Sequence, residues 1–273
     1  MTDVDVRGVS GGYFVKADGD YAGGVIGFGI GGDVINVNAY DLKYVTGSNH
    51  VGGFVGTTGP DMIVGGNGLS LSLLGQQLLS INNLLNISNG IHSTFTNSNV
   101  TGIASGYTVN ATGTRDEADP ENKRDFTAGG YVGDCTSVTI IDCHAVNLLS
   151  VESDMRFGKS GGFVGHCAAG NLSAVNAGDE NQALLLTADK LVQLETDIIP
   201  KLERVDVSFH YEEDENNNHT CMGFVRGNAA GGFVGEFQSG TLNLDSAAEG
   251  SEYLPQLKAR PYAVYHLDHV EGG

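Results

Sequence analysis

Four side chains stand in a pattern that suits acid–base chemistry: Asp134, Asp142, His144 and His166. Carboxylates converging on one face, with Arg or Lys to neutralise an acidic sugar, are what polysaccharide lyases and glycosidases need. Here the basic residues are scattered along the chain. Asp134 and His166 also alternate with Cys135 and Cys167, so if the cysteines face a core the pair is expected to face solvent as a weak ion pair. A second chemistry is open to Asp18 and Asp20, to Asp116 and Asp119, and to Asp214, which offer the hard oxygens that calcium takes. Neither the EF-hand spacing nor a Gly-Gly-x-Gly-x-Asp repeat accompanies them. Calcium is the one ion these residues would suit, and no signature of any other cofactor is present.

The four cysteines, Cys135, Cys143, Cys167 and Cys221, lack zinc spacing. Cys135 follows Gly133 by two residues and Cys167 follows Gly165 by two, which gives them equivalent places in successive copies of a motif. On adjacent coils of a solenoid they would stand about 4.8 Å apart, within the range that a disulfide accepts. A reduced, buried pair is the alternative, and Phe237 at the same place in the last copy favours an inward-facing position.

These residues have to be positioned by a repeat. Gly-Gly-Phe-Val-Gly stands at Gly52, Gly53 to Gly56, at Gly161, Gly162 to Gly165 and at Gly231, Gly232 to Gly235. Near-copies stand at Gly23, Gly24 to Gly27 and at Gly129, Gly130 to Gly133. An active site is needed once, whereas a solenoid needs the same corner on every coil. The expected fold is mainly β: a right-handed parallel β-helix, each coil made of strand, corner and strand, with Phe163 and Val164 straddling the strand so that one enters the core. A β-rich run at residues 34–42, Val-Ile-Asn-Val-Asn-Ala-Tyr-Asp-Leu, matches residues 140–148, Ile-Ile-Asp-Cys-His-Ala-Val-Asn-Leu, position by position in type. Shorter echoes stand at 172–177 and 242–247.

The motif starts at 23, 52, 129, 161 and 231, so short and long intervals alternate. Neighbouring intervals group into superrepeats of about 23–128 and 129–230 and a partial third at 231–273, within a single elongated solenoid over 1–273. The long intervals hold leucine stripes, Leu73 to Leu85 and Leu184 to Leu202, whose spacing predicts amphipathic helices packed on the side of the solenoid. Each long interval also holds a polar run, 115–124 and 212–218, expected as exposed hairpin tips or loops at matching stages, projecting from the same side.

Composition narrows the function. With 33 acidic against 14 basic residues the formal charge is −19, which disfavours a nucleic-acid partner. No run reaches the length of a membrane span, and the start has no signal-peptide pattern. The chain reads as a piece of a larger protein whose targeting and anchoring segments lie elsewhere.

The Gly-Gly-aromatic-Val-Gly corners and the β-runs together resemble the GLUG-motif repeats of bacterial surface proteins, over roughly Gly23 to Gly235. The resemblance implies a β-helix that serves as a cell-surface stalk or adhesive module. Its partners would be host or neighbouring-cell protein or glycan, and adjacent repeats of the same polypeptide. Some family members are metallopeptidases with His-Glu-x-x-His; this chain has no such motif, so peptidase activity is not carried over. The leading expectation is therefore a non-catalytic extracellular module, and the alternative is a carbohydrate-active β-helix of the polysaccharide lyase or glycosidase kind.

Overall fold

The computed structural model describes residues 1–59, 62–66, 92–114, 125–169, 171–175, 199–243, 264–265 and 267–273. Among them every regular element is a β-strand. The leucine stripes lie outside the described residues apart from Leu202, which stands in the strand Lys201–Glu203 and is fully buried.

Five coils follow one another, each passing through three parallel ladders. The first ladder stacks Tyr21–Gly23, His50–Gly52, Phe126–Gly129, Gly158–Gly161 and Ala229–Gly231. The second stacks Ile26–Gly29, Val55–Thr58, Val132–Cys135, Val164–Cys167 and Val234–Phe237. The long ladder begins with Thr2–Arg7 and Tyr13–Lys16, which lie on Gly32–Gly47 of coil one. Above it come Ser93–Thr96, Asn99–Gly102 and Tyr107–Ala111 of coil two, then Val138–Ile141 and His144–Glu152 of coil three. Coil four adds Lys201–Glu203, Asp206–Phe209 and Gly223–Gly227, and coil five closes with Thr241–Asn243, Val264–Tyr265 and Leu267–Gly272. This in-register parallel stacking is consistent with a parallel β-solenoid.

The matched runs at 34–42 and 140–148 owe their Asn and Asp residues to bends. Asn36 and Asp142 take φ of 54° and 52°, and Asp41 and Asn147 take 62° and 63°, so the long ladder folds twice at left-handed residues. Short amide and carboxylate side chains tolerate this conformation better than other L-residues. Among the described residues the first bend recurs in the layer below coil one and in coils one to four, at Asp3, Asn36, Asn97, Asp142 and Arg204. Its side chains bond along the stack: Asn36 Nδ2 donates to Asp3 at 3.0 Å, Asn97 Nδ2 to Asn36 at 2.8 Å, and Arg204 binds Asp142 at 2.7 and 2.9 Å.

Inward positions repeat from coil to coil. Val34, Phe95, Ile140 and Leu202 form one buried row, and Val45, Val109, Val151 and Val225 another. At the motif corner Phe54, Tyr131, Phe163 and Phe233 stack ring on ring, with centroids 4.9, 4.8 and 5.3 Å apart and planes within 4° of parallel. The separations match the strand spacing, so one aromatic on each of coils two to five fills the corner, where coil one has Val25. Val164 does not straddle the strand toward solvent as expected; both Phe163 and Val164 are fully buried. Strand alternation puts Val164 and His166 on the opposite side of the strand from Gly165 and Cys167, and both sides of the second ladder's middle strands are largely buried.

The echo expected at 172–177 is a different element. Asn171–Val175 pairs in parallel with Met62–Gly66, each lying just past the second ladder in coils four and two. Coil four meets the long ladder only later, at Lys201–Glu203. The two polar runs are not at matching stages either. Residues 115–124 follow the last long-ladder strand of coil two, whereas 212–218 interrupt coil four earlier, as an antiparallel hairpin of Tyr211–Glu213 and His219–Cys221.

This core makes the protein sensitive to alkali. Burial holds the Tyr107 and Tyr131 phenols well above their ordinary value, pushes Tyr13 up to about 12 and pushes the Cys143 thiol up to about 12. Above pH ~9 the unfolded chain therefore loses protons that the folded chain keeps, so stability is whole below that pH and falls as pH rises toward 12. Cys143 alone accounts for about 4 kcal/mol of that loss at pH 12. Cooperative unfolding in this window is expected, with the tyrosinate absorbance of the buried phenols appearing together with loss of β-sheet circular dichroism. A tyrosinate titration complete at pH 10 on a folded protein would contradict it.

Candidate functional site

The acid–base residues occupy two different ladders. Asp134 and His166 are register partners on the second ladder, in the outward row that runs Phe28, Thr57, Asp134, His166, Glu236. His166 Nδ1 lies 2.7 Å from Asp134 Oδ1. The pair does not face solvent as expected: the side chains are 13% and 4% exposed. Thr57 Oγ1 donates to the other Asp134 oxygen at 3.5 Å. His166 Nε2 is buried and has no hydrogen-bond partner.

Asp142 and His144 belong to the long ladder and pair separately. Asp142 receives the forked Arg204 guanidinium, and His144 Nδ1 lies 2.8 Å from Asp206 Oδ1. The His144 backbone N–H donates to Asn99 Oδ1 at 2.9 Å, which extends the row one coil down. His210 and Asn147 make a further contact of 2.9 Å. All four pairs, Asp134–His166, Asp142–Arg204, His144–Asp206 and Asn147–His210, join coil three to coil four. A carboxylate and an imidazole in consecutive layers of a parallel ladder meet because register places them about 4.8 Å apart.

Arg204 and Asp206 were not singled out by sequence reasoning. Their signal is register: counting from the Ile140-Ile141-Asp142-Cys143-His144 run to Leu202-Glu203-Arg204-Val205-Asp206 sets Arg204 over Asp142 and Asp206 over His144. Lys159 was missed as well. It stands on the first ladder, 13% exposed, and bridges Asp125 and Glu236 at 3.0 Å each. Burial works to lower its ammonium, and the two carboxylates outweigh burial and hold it above its ordinary value.

The calcium candidates do not converge. Asp20 accepts from Asn49 Nδ2 at 3.0 Å, and Asp18 is exposed in the turn before it. Asp214 caps the hairpin turn, accepting from the Asn216 and Asn218 backbones at 2.8 and 2.9 Å and from Asn218 Nδ2 at 3.0 Å. Those donors hold its carboxyl below the ordinary range. Asp116 and Asp119 lie outside the described residues. Among the described residues no group of three or more His, Cys, Asp or Glu is placed to hold a metal ion.

Comparison with known proteins returns nothing. No family model, curated protein or solved structure matches this chain. What the arrangement can do therefore rests on its own geometry. Acid–base catalysis needs a nitrogen or oxygen within about 3 Å of a substrate proton. The second ring nitrogen of His166 is enclosed, and the other pairs each make at least one contact to the neighbouring coil.

The five motif corners, by contrast, share one construction. Their glycines are Gly23, Gly24, Gly27, Gly52, Gly53, Gly56, Gly129, Gly130, Gly133, Gly161, Gly162, Gly165, Gly231, Gly232 and Gly235, and they flank or form the bend at each corner. None of them takes a positive φ. Most are demanded by proximity instead. A Cβ on Gly129, Gly161 or Gly231 would strike the carbonyl oxygen three residues on, and one on Gly130 would strike that of Gly162 in the coil above. A Cβ on Gly165 would lie 2.7 Å from the Ala128 oxygen of the first ladder.

Proposed function

We propose that the chain is a non-catalytic structural and adhesive module of a bacterial surface protein, a right-handed β-solenoid that presents a binding surface to host protein or glycan. The observation that carries this reading is the use of the acid–base residues. Asp134 and His166 bond to each other on the second ladder, and Asp142 and His144 bond to Arg204 and Asp206 on the long ladder, so all four are engaged in joining coil three to coil four. The right hand follows from the strong preference of parallel β-crossovers for that sense. The extracellular setting rests on the resemblance of the corners to GLUG repeats.

A printed glycan array combined with incubation on polysaccharide pools tests the reading. Retention on a subset of glycans with no new reducing ends or unsaturated products is expected. Release of sugar from any pool, abolished by His166→Ala, would replace the module with a carbohydrate-active β-helix.

A further inference from the structure

Cys135 and Cys167 are register partners on consecutive strands of the second ladder, so their Cα atoms stand about 4.8 Å apart, inside the span a disulfide bridges. Both lie on the inward side of their strands with Gly133 and Gly165, and both are fully buried. Both are free thiols, and Cys167 Sγ donates to the Ser239 carbonyl at 3.6 Å. Above them in the row sits Phe237 and below them Thr58. The other two cysteines are placed elsewhere. Cys143 is buried on the long ladder against Ser98 and Ile141, and Cys221 lies on the hairpin.

We propose that Cys135 and Cys167 form a cross-link site, closed as a disulfide that ties coil three to coil four through the core. The closure is a thiol–disulfide exchange with an oxidised dithiol carrier. The Cys135 thiolate attacks one carrier sulfur, forming a mixed disulfide and expelling the other carrier sulfur as a thiolate. The Cys167 thiolate then attacks the Cys135 sulfur and expels the second carrier sulfur. Two protein thiols are oxidised, one carrier disulfide is reduced, and the two protons released return to the carrier. In the folded chain the pairing of the two thiols, together with burial, pushes Cys135 up and keeps it poor in thiolate, so exchange belongs to the period before coil four docks. Once closed, the core that hides the sulfurs also protects the bond from reductant.

The same four polar pairs that join these coils explain why the link falls here. Coils three and four are joined across the second ladder and across both bends of the long one. The disulfide adds a contact that does not depend on salt or pH. Its loop encloses coil three's long-ladder strands, so the cross-link limits the unfolded chain as well as the folded one.

The full chain, refolded from denaturant in reduced and oxidised glutathione, provides the test. Peptide mapping is expected to show the Cys135 and Cys167 peptides joined, with loss of two hydrogen masses, while Cys143 stays free. The Tm is expected to rise by about 8 °C over the same protein refolded in reductant. Cys143→Ser should leave the link in place and Cys167→Ser should abolish it; wild-type mapping stands even if a variant fails to fold. Two free thiols at 135 and 167 after refolding, a link to Cys143 or Cys221, or an unchanged Tm would overturn the proposal.

Discussion

Gly162→Ala is expected to cost about 4 kcal/mol, a large part of the stability of an ordinary domain. The added methyl would run into the carbonyl oxygen of Gly232 and stand 2.9 Å from Phe209 Cζ. Gly232 cannot retreat, because its neighbour Gly231 accepts the Gly162 N–H at 3.1 Å and Phe233 accepts the Phe163 N–H at 2.8 Å. Replacing Gly by Ala ordinarily stabilises by about 0.4–1 kcal/mol through the unfolded chain, which is too little to offset a backbone collision. Gly19→Ala is the control, since a Cβ there meets nothing within 4 Å. Chemical denaturation of the two variants should separate them by several kcal/mol. Equal stabilities would mean that the corner is not closed by backbone contact.

Phe163→Ala is expected to cost a similar amount, about 4 kcal/mol, by a different route. The ring lies between Tyr131 at 4.8 Å and Phe233 at 5.3 Å, both nearly parallel to it, and is fully buried. Removing it opens a cavity in the middle of a column and breaks two ring contacts at once, each worth about 1 kcal/mol. Phe163→Leu should cost about 2 kcal/mol, because it restores volume without the flat faces. Phe237→Ala, at a ring 46% exposed, should stay within about 1 kcal/mol of the parent. Thermal and urea unfolding should find Phe163→Ala the least stable of the three, Phe163→Leu intermediate and Phe237→Ala the most stable. A reversed order would refute the column as the source of stability.

The corner motif was legible because its chemistry is narrow: only glycine fits where three backbones touch, and on coils two to five a flat ring fills the space above and below. Why glycine is needed was not legible, since close approach and a positive φ both select glycine and only the folded backbone tells them apart. The paired Asn and Asp positions at 36, 41, 142 and 147 carried the bends in plain sight, as short polar residues at fixed offsets within apolar runs. The acid–base cluster was legible only in part. Alternation gave the outward direction of Asp134 and His166, but no local pattern shows that the chain encloses that row. Asp142 and His144 fell away from it because the long ladder begins between positions 135 and 142, a change of side that composition does not mark. The echo at 172–177 misled for a related reason: β-patterned sequence signals a strand and says nothing about which ladder receives it.

The long ladder has six layers, counting the strands Thr2–Arg7 and Tyr13–Lys16 below coil one. At about 4.8 Å per layer that is a height near 29 Å, the reach of about 20 residues of α-helix. A chain of 273 residues thus gains little distance along its axis. The intervals that leave the coil just past the second ladder add no layer to the ladders, because coil three, between the two that carry them, passes directly from Cys135 to Val138 and pairs with both. Lengthening those intervals would therefore leave the rise per coil fixed.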